Sequence, residues 1–241
     1  MKTNRALCGL TSSIGTTAIA ALSATALLLG SPNAQAGLIV NGSFEQPVLS
    51  AGVYRDVAGG DSTTITGWTV LGNDVLLVQN AYSEPASGMT QFNAQAGLNS
   101  LDLTGINNSG PTNGIQQTVA TTPGQQYALS FYVGRAQSSN GSSFYQGPAT
   151  IRLTINGGSA VSFTNTDTPS SGSVDWKNFD TTFTAATSST TIAFLNGTPT
   201  GTHDAGLDNV SVEAVPEPGT ALFGFACAGV AALRRRRRSA V

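Results

Sequence analysis

Charged side chains are scarce in this chain of 241 residues, because Asp, Glu, Lys and Arg together make up 10% of it, whereas about 25% is usual in globular proteins. Histidine occurs once, and lysine occurs only at Lys2 and Lys177. This composition argues against coiled coils, long charge-rich helices and a basic surface for nucleic acid. The two cysteines, Cys8 and Cys227, lie close to the chain ends, so the middle of the chain has no disulfide and no thiolate metal site.

The formal net charge of −2 hides an uneven distribution. Seven of the eleven basic residues lie in the terminal segments, and five of these form the run 234–238. Residues 37–215 contain four basic side chains against twelve carboxylates, which gives this part a formal net charge of −8. An acidic body disfavours contact with a phosphate backbone, so we expect no nucleic-acid partner.

Residues 1–36 are predicted to be a secretory signal peptide. Lys2 and Arg5 precede an apolar stretch over 14–30, and Ala34 and Ala36 frame an A-x-A cleavage site. A basic start, an apolar middle and small residues before the cut are the features of such a peptide. The alternative is an uncleaved membrane anchor, although Thr and Ser dilute the apolar stretch.

Residues 215–241 are predicted to be a second address segment. Pro216, Glu217 and Pro218 precede an uncharged apolar run over 219–233, and the arginine run follows. As a helix, this run would rise about 22 Å, less than the roughly 30 Å hydrocarbon core of a bilayer. The alternative is a buried helix with a solvated basic end, which the terminal position of the run disfavours.

This order of a P-E-P motif, an apolar run and a basic end resembles the PEP-CTERM sorting signal of Gram-negative bacteria. The resemblance implies a short hydrophobic sorting helix, transient insertion in the inner membrane and processing by an exosortase. It also implies release to the cell surface or extracellular matrix, often in bacteria that make exopolysaccharide. The predicted signal peptide independently requires export.

Residues 37–214 are predicted to form one all-β domain, an antiparallel β-sandwich of about ten strands, because alternation of apolar and polar residues marks strands with one face in a core. Such alternation occurs over 98–104, 127–133, 151–155, 179–183 and 192–194. Asn156-Gly157 separates two alternating runs and predicts a hairpin. The Ser- and Gly-rich segment 136–147 is expected to be a surface loop that can carry binding.

Motifs for catalysis are few. His203 is the only histidine, and its polar surroundings favour a solvated loop residue over a catalytic one. The sequence has no pattern typical of zinc proteases, serine hydrolases or P-loops, so we expect no enzyme activity. The twelve carboxylates leave a glycoside hydrolase open, because spacing along the chain does not show which carboxylates face each other.

Two carboxylates near the ends of the body are candidate metal ligands. Asp208 alternates with Val210 and Val212 in the last strand, so we expect it to point inward, where a carboxylate needs hydrogen bonds, a counter-charge or a metal ion. Glu45 follows Phe44 near the first strand, which can neighbour the last one in such a sandwich. Oxygen ligands suit Ca²⁺, so Glu45 and Asp208 predict a structural calcium site. The alternative is that Asp208 accepts backbone N–H bonds at a turn.

Aromatic side chains are the candidates for sugar contact, because carbohydrate binders stack sugar rings on exposed Trp or Tyr. Tyr132 lies on the opposite strand face from the expected core residues, Tyr145 lies in the predicted loop, and Trp176 is flanked by charges. We take these three as ligand-binding candidates. Trp68 lies among alternating apolar residues and is expected in the core.

The order of several motifs resembles the domain-of-unknown-function family six-four-two, which is known from plant cell-wall proteins and bacteria and is related to carbohydrate-binding modules. The motifs are Asn41-Gly42-Ser43-Phe44-Glu45, Gly67-Trp68, 100–105, 114–118, 123–131, 176–183 and 207–212. The resemblance spans most of 38–212 and implies a galactose-binding-like jelly roll that contacts polysaccharide. In related jelly rolls a structural calcium ion lies near the first and last strands, which here implies Glu45 and Asp208.

The sequence therefore predicts an exported, non-catalytic protein that binds or organises extracellular polysaccharide in a biofilm matrix. Two alternatives remain open: a structural matrix or adhesion protein that recognises other proteins, and a glycoside-active hydrolase.

The signal peptide makes a direct prediction. When the full chain is expressed in a Gram-negative host, the exported protein should begin at Gly37, because cleavage follows Ala36. N-terminal sequencing of the exported fraction measures this. A retained N-terminus at Met1 in the membrane fraction would contradict cleavage and support the anchor.

Overall fold

The structure is a computed structural model, and it describes residues 37–106, 108, 110–142, 145–199 and 204–216. The predicted signal peptide with Ala34 and Ala36, the motif residues Glu217 and Pro218, the apolar run and His203 lie outside this part of the chain. Pro216 is exposed at its end. None of the helices in these ranges is long and apolar enough to cross a bilayer.

Thirteen strands and a single 3₁₀ turn over Pro85–Ser87 form the described part. The strands are β1 (Tyr54–Ala58), β2 (Thr69–Leu71), β3 (Asp74–Gln79), β4 (Ser83–Glu84), β5 (Thr90–Gln91), β6 (Asn99–Asp102), β7 (Gly114–Ala120), β8 (Gln126–Gln137), β9 (Ala149–Ile155), β10 (Val161–Asn165), β11 (Ser173–Thr184), β12 (Ser189–Asn196) and β13 (Gly206–Ala214).

The strands build two main antiparallel sheets. One has six strands in the order β1-β3-β6-β13-β8-β11, and the other has five in the order β10-β9-β12-β7-β2. β4 and β5 form a separate two-stranded hairpin. The predicted all-β antiparallel sandwich is confirmed, and its strands outnumber the expected ten because short edge and hairpin strands lack a clear alternating pattern.

The core lies between the two main sheets and is organised around large aromatic rings. Trp68 is 1% exposed, and its ring centroid lies 5.5 Å from that of Phe44 and 6.4 Å from that of Phe194. Phe131 packs against Phe194 at 5.0 Å. The indole Nε1 of Trp68 donates to the backbone oxygen of Asn41 at 3.1 Å, which satisfies its buried polar atom. The prediction that Trp68 is a core residue is confirmed.

The N-terminal segment of the domain lies against the last strand. The backbone N–H of Leu38 donates to Val212, and that of Val210 donates to Gly42. The predicted proximity of the two ends of the domain is therefore confirmed, although residues 37–53 contain no regular strand.

A bulge in β13 changes the face on which Asp208 lies. The pairing with β8 shifts register between Asp208 and Ser211, and Asn209 adopts a left-handed backbone with φ 49°. An extra residue reverses the alternation beyond it. Val210 and Val212 therefore face the core, but Asp208 lies on the other, outer face of the six-stranded sheet, opposite Tyr132. The prediction that Asp208 shares the valines' face is wrong for this reason.

The turns agree with the sequence pattern. Asn156 and Gly157 connect β9 to β10 with positive φ of 51° and 68°, the conformation that an Asn-Gly hairpin turn requires. The polar loop predicted over 136–147 begins later, after β8 ends at Gln137, because Ala136 is buried against the outer face of the sheet.

Two glycines leave room for an indole ring on this outer face. Gly134 pairs with Trp176 on one side and with Gly206 on the other. A Cβ at Gly134 would lie 2.8 Å from the Trp176 ring, and a Cβ at Gly206 would lie 3.0 Å from it. The ring therefore lies flat over two strands that carry no side chain at this level.

Substitution Gly134→Ala should lower the free energy of unfolding by about 1–3 kcal/mol, because the added methyl overlaps the ring. Urea denaturation measures the loss. The same substitution should be much less costly in a Trp176→Ala background, where the ring is gone. Equal costs in the two backgrounds would show that the ring does not set the constraint.

Candidate functional site

A cleft opens on the outer face of the six-stranded sheet, between β1, β3, β6 and the β4–β5 hairpin. We call it the aromatic cleft. Its volume is about 200 Å³. Its lining is Tyr54, Leu76, Val78, Tyr82, Glu84, Ala86, Phe92, Asp102, Gly105, Ile106 and Tyr145. Such a mixture of apolar walls and a few polar groups is typical of ligand sites.

Four aromatic rings follow one another along the cleft. Tyr54 meets Tyr82 edge to face at a centroid distance of 5.0 Å, Tyr82 lies 6.0 Å from Phe92, and Phe92 meets Tyr145 edge to face at 5.2 Å. Phe92 is buried, whereas Tyr54 is 43% exposed at the edge strand β1. Tyr54, the exposed end of this series, offers an aromatic surface, and the buried ring of Phe92 packs between Tyr82 and Tyr145.

The β4–β5 hairpin fixes one wall through Glu84. One carboxylate oxygen, Oε2, accepts the hydroxyl of Tyr82 at 2.6 Å, and Oε1 accepts the backbone N–H of Ala86 at 3.0 Å. Burial, followed by the hydrogen bond to Glu84, raises the pKa of Tyr82. Tyr82 therefore stays a neutral donor, and its ring is held at a fixed angle.

Two buried carboxyl groups, those of Asp102 and Asp204, lie near each other, and Asp102 lines the cleft. Asp102 lines the cleft and is 6% exposed, and Asp204 is 3% exposed. Asp102 Oδ1 accepts from the backbone N–H and hydroxyl of Thr104 at 2.9 and 2.7 Å and from the N–H of Ala205 at 3.1 Å. Within the described residues, Oδ2 of Asp204 is buried with no hydrogen-bond partner.

Burial and the charges of neighbouring groups shift the pKa values of Asp204 and Tyr145. Burial and then the neighbouring charge of Asp102 raise the pKa of Asp204 well above its ordinary value. Because the folded state holds this proton more tightly than the unfolded chain, its contribution to stability is full at acid pH and is lost as pH rises through the folded-state pKa. Burial, followed by the charges of Asp102, Asp204 and Glu84, also raises the pKa of Tyr145.

The three predicted ligand-binding aromatics lie at different places. Tyr145 lines the aromatic cleft. Trp176 is half-buried on the same sheet face, but its Nε1 donates to the backbone oxygen of Asn93 at 2.8 Å, and it is not part of the cleft lining. Tyr132 is half-buried on the outer face opposite Asp208. The structure therefore does not bring the three together in one site.

Sequence reasoning missed the other cleft residues, although one signal was present. β3 reads Val75-Leu76-Leu77-Val78 without alternation, and a continuous apolar run indicates a strand covered on both faces. Val75 and Leu77 face the core, while Leu76 and Val78 face the cleft. Nothing comparable in the sequence marks Glu84 or Asp102, which a separate hairpin and strand bring to the same place.

Glu45 and Asp208, the predicted calcium ligands, both hold the segment 93–99 that precedes β6. Asp208 is fully buried, and its Oδ2 accepts the backbone N–H groups of Gln95 and Ala96 at 2.8 and 3.0 Å. Glu45 Oε1 accepts the N–H groups of Leu98 and Asn99, both at 2.9 Å. Two carboxylates thus anchor four backbone donors of one segment.

This arrangement gives the two carboxylates a role without a metal ion. Asp208 Oδ1 also accepts the N–H of Asn209 at 2.6 Å, so N–H donors point at both of its oxygens. Burial raises the pKa of Asp208 to about 7 against the opposing effect of these bonds. Among the described residues, no group of three or more metal-ligating side chains is assembled, and Ca²⁺ takes six to eight oxygen ligands. The donor set does not fit calcium by itself, and the calcium ion stays a prediction.

The protein is thus an antiparallel β-sandwich with an aromatic cleft on the outer face of its six-stranded sheet. The profile of the family described as "Protein of unknown function (DUF642)" matches residues 37–213. The chain therefore belongs to this family, as its motifs indicated.

Known proteins are similar to parts of this chain. Halomucin of Haloquadratum walsbyi is 29% identical over 194 residues, which are 79% of this chain but 2% of halomucin; the chain thus spans a very small part of that protein. The crystal structure of the Stig cyclase Fisc from Fischerella sp. TAU matches with a TM-score of 0.52 and 18% identity over 75% of this chain and 97% of the cyclase. At this identity the likeness concerns the fold alone.

A further similar structure is the CBM22-1 xylan-binding domain of Paenibacillus barcinonensis Xyn10C. It matches with a TM-score of 0.39 and 19% identity over 70% of this chain and 99% of the domain.

Substitution Asp208→Ala should lower the free energy of unfolding by about 2 kcal/mol, because partly buried backbone N–H groups lose their acceptor. In a domain of this size the loss corresponds to a Tm lower by roughly 4–8 °C, which calorimetry measures. Glu213→Ala is the matched control, because Glu213 is an exposed carboxylate on the same strand. Similar losses in the two variants would contradict an anchoring role for Asp208.

The same proteins test the predicted calcium ion. Anchoring by N–H donors alone predicts that EDTA leaves the Tm of the unsubstituted protein unchanged. A calcium ion at Glu45 and Asp208 instead requires that EDTA lowers this Tm and that Asp208→Ala abolishes the effect.

Proposed function

We propose that this protein is an exported, non-catalytic binder of extracellular polysaccharide and that the aromatic cleft is its binding site. The observation that carries the proposal is the row of aromatic rings, exposed at Tyr54, beside the carboxylates of Glu84 and Asp102. Sugar rings have apolar C–H faces that pack on aromatic rings and hydroxyl groups that donate to carboxylates. The cleft offers both kinds of partner within one lining.

The shape of the cleft supports an extended ligand. Tyr54 lies on β1, the edge strand of the sheet, so the aromatic row leads from Tyr145 and the buried Phe92 to an open end at the rim. A polymer can enter from this rim with one or a few sugar units inside and the remainder in solvent. The cleft volume of about 200 Å³ suits such partial burial better than enclosure of a whole oligosaccharide.

Export completes the proposal. The predicted signal peptide and PEP-CTERM-like end would take the protein through the inner membrane of a Gram-negative bacterium, with an exosortase acting on the C-terminal segment. The mature protein would then meet polysaccharide at the cell surface or in the extracellular matrix. Its formal charge of −8 over 37–215 keeps such a protein soluble and disfavours self-association.

A glycoside hydrolase is the second candidate, because Glu84 and Asp102 line the same cleft. Hydrolysis requires one carboxyl group that gives a proton and a second that acts on the sugar or on water. Both groups already hold the backbone: Glu84 binds Ala86 and Asp102 binds Thr104 and Ala205. These structural bonds favour the non-catalytic proposal, and release of reducing ends from a bound polysaccharide would favour the hydrolase.

Substitution Tyr54→Ala should weaken polysaccharide binding by roughly five- to ten-fold, because one aromatic contact is worth about 1–1.5 kcal/mol. Affinity electrophoresis against bacterial exopolysaccharides identifies the ligand, and calorimetry with its oligosaccharide gives Kd. Tyr54→Phe keeps the ring and should keep most of the affinity.

Two results would contradict this proposal. Binding that is unchanged in Tyr54→Ala would place the ligand elsewhere. A folded protein that binds no polysaccharide but retains a matrix protein in a pull-down would favour the adhesion alternative.

A further inference from the structure

A second cavity, of about 210 Å³, lies beside the end of β8. We call it the loop cavity, and the residues of its lining that matter here are Arg135, Gln137, Ser138, Tyr145, Gln146 and Thr168. We propose that the loop cavity binds the carboxylate of an acidic sugar unit, such as a uronate, in a polysaccharide that also contacts the aromatic cleft. This inference rests on the proposed function and adds the ligand class to it.

Arg135 and Gln137 come from the core-facing side of β8, just beyond its apolar part. Residues 129, 131 and 133 of this strand are buried in the core, and the alternation of side chains places Arg135 and Gln137 on the same face. Both are half-buried. They lie where the apolar core ends, so they need polar partners that the core does not supply.

Backbone oxygens of the segment after β10 hold the guanidinium group of Arg135. Its Nη1 donates to the oxygens of Thr166 and Asp167 at 2.9 and 2.7 Å. Asn165, which is fully buried, fixes this segment, because its Nδ2 donates to the oxygen of Val133 and its Oδ1 accepts the N–H of Asp167. The guanidinium is therefore positioned before any ligand arrives, which lowers the entropy cost of binding.

The positive charge of Arg135 is not neutralised by a neighbouring carboxylate. Asp167 contacts Arg135 through its backbone oxygen, while its carboxylate pairs with Lys177 at 2.8 Å. Asp175 lies opposite Arg135 in the pairing of β11 with β8, but within the described ranges Arg135 forms no ion pair. The described lining of the loop cavity includes no Asp or Glu, so an anionic group of a ligand can supply the counter-charge.

Two polar atoms of the lining side chains have unused bonding capacity. Nε of Arg135 and Oε1 of Gln137 are shielded from solvent and have no hydrogen-bond partner in the part of the chain that the structure describes. Buried polar atoms without partners are unfavourable, so a ligand that bonds to them gains affinity.

These atoms define the chemistry of the ligand. The two bonds to the backbone use Nη1 of Arg135 and leave the edge formed by Nε and Nη2, which suits a carboxylate in a two-point contact. Oε1 of Gln137 accepts only, so it needs a donor such as a hydroxyl group. A uronate carries a carboxylate and hydroxyl groups on one ring and therefore matches both side chains.

Tyr145 connects this cavity to the candidate site described above, because it belongs to the lining of both the loop cavity and the aromatic cleft. A polymer with one unit packed in the cleft can thus place a neighbouring unit near Arg135. The loop after β8, which the sequence indicates as a binding loop, contributes Tyr145 and Gln146 to this second wall.

The formal charge of −8 over 37–215 opposes the approach of an acidic polymer but does not outweigh a direct contact. At an ionic strength of 0.15 M, charges more than about 8 Å apart in solvent are largely screened, whereas a contact at hydrogen-bond distance is screened much less. Polymers that carry uronate on some of their units also experience less repulsion than a continuous polyuronate. The local charge of Arg135 therefore decides the preference at physiological salt.

The experiment titrates single sugar units into the ¹⁵N-labelled protein at pH 7 and about 0.15 M salt, with NMR as the readout. The probes are methyl glucuronide, methyl glucoside and acetate. The Kd of the glucuronide should be at least about five-fold lower than that of either other probe, because it alone combines a carboxylate with sugar hydroxyls. The Nε–H resonance of Arg135 should shift on its addition.

Matched variants assign this binding to the loop cavity. Arg135→Gln should weaken glucuronide binding to the level of the glucoside, and Arg135→Lys should recover only part of it, because an ammonium group does not make the two-point contact. Arg152→Gln is the control, since Arg152 also donates to a backbone oxygen, that of Asn196, but does not line the cavity.

A second variant keeps the backbone anchor in place. Gln137→Leu leaves the bonds of Arg135 to the backbone intact and should weaken glucuronide binding about three-fold, because one hydrogen bond is lost. A thermal melt of each variant shows that it is folded, and Gln137→Leu decides the question if Arg135→Gln does not fold.

The outcomes separate this inference from the proposed function. Equal binding of the three probes, or no binding of the glucuronide at about 50 mM, would overturn the inference, and ordered water would then satisfy the cavity. Tyr54→Ala tests polysaccharide binding independently of these results. Glucuronide binding that depends on Arg135, in a folded protein that binds no polysaccharide on a glycan array, would overturn the proposed function and support the acidic-sugar site.

Discussion

The buried carboxylate of Asp208 is the constraint on which the outer face of the six-stranded sheet depends. Together with Glu45 it accepts four backbone N–H groups from the segment 93–99. This segment follows Phe92, which closes the cleft from above, and leads directly into β6, which carries Asp102. One set of charge-assisted hydrogen bonds thus fixes both the cover and the floor of the candidate site.

The cleft results from incomplete cover over an apolar sheet face. Leu76, Val78 and Ala136 point away from the main core and would be exposed without a second layer. The β4–β5 hairpin supplies that layer through Tyr82 and Phe92, which pack on this surface. A two-stranded hairpin cannot cover a six-stranded sheet, so part of the aromatic surface stays open at β1.

Alternation in the sequence predicts the sandwich and most of its core, because every second residue faces the core and this period is undisturbed over 127–133 in β8 and over 149–153 in β9. It fails at Asp208, since a left-handed residue at Asn209 inserts one position and reverses the faces. It also fails for the cleft. The polar loop pattern predicts Tyr145 as a binding candidate. Glu84 and Asp102 line the same cleft only because a hairpin and a strand that are distant in sequence lie side by side, and no local sequence pattern indicates this.

The acidic character of the cleft follows from the demands of the fold. Asp102 accepts the backbone N–H groups of Thr104 and Ala205, and Glu84 accepts that of Ala86. Each carboxylate therefore holds a segment of backbone beside the cleft. Apolar replacements would leave the N–H groups of Thr104, Ala205 and Ala86 without these acceptors. The groups that shape the cleft are therefore also the groups that supply its polar atoms.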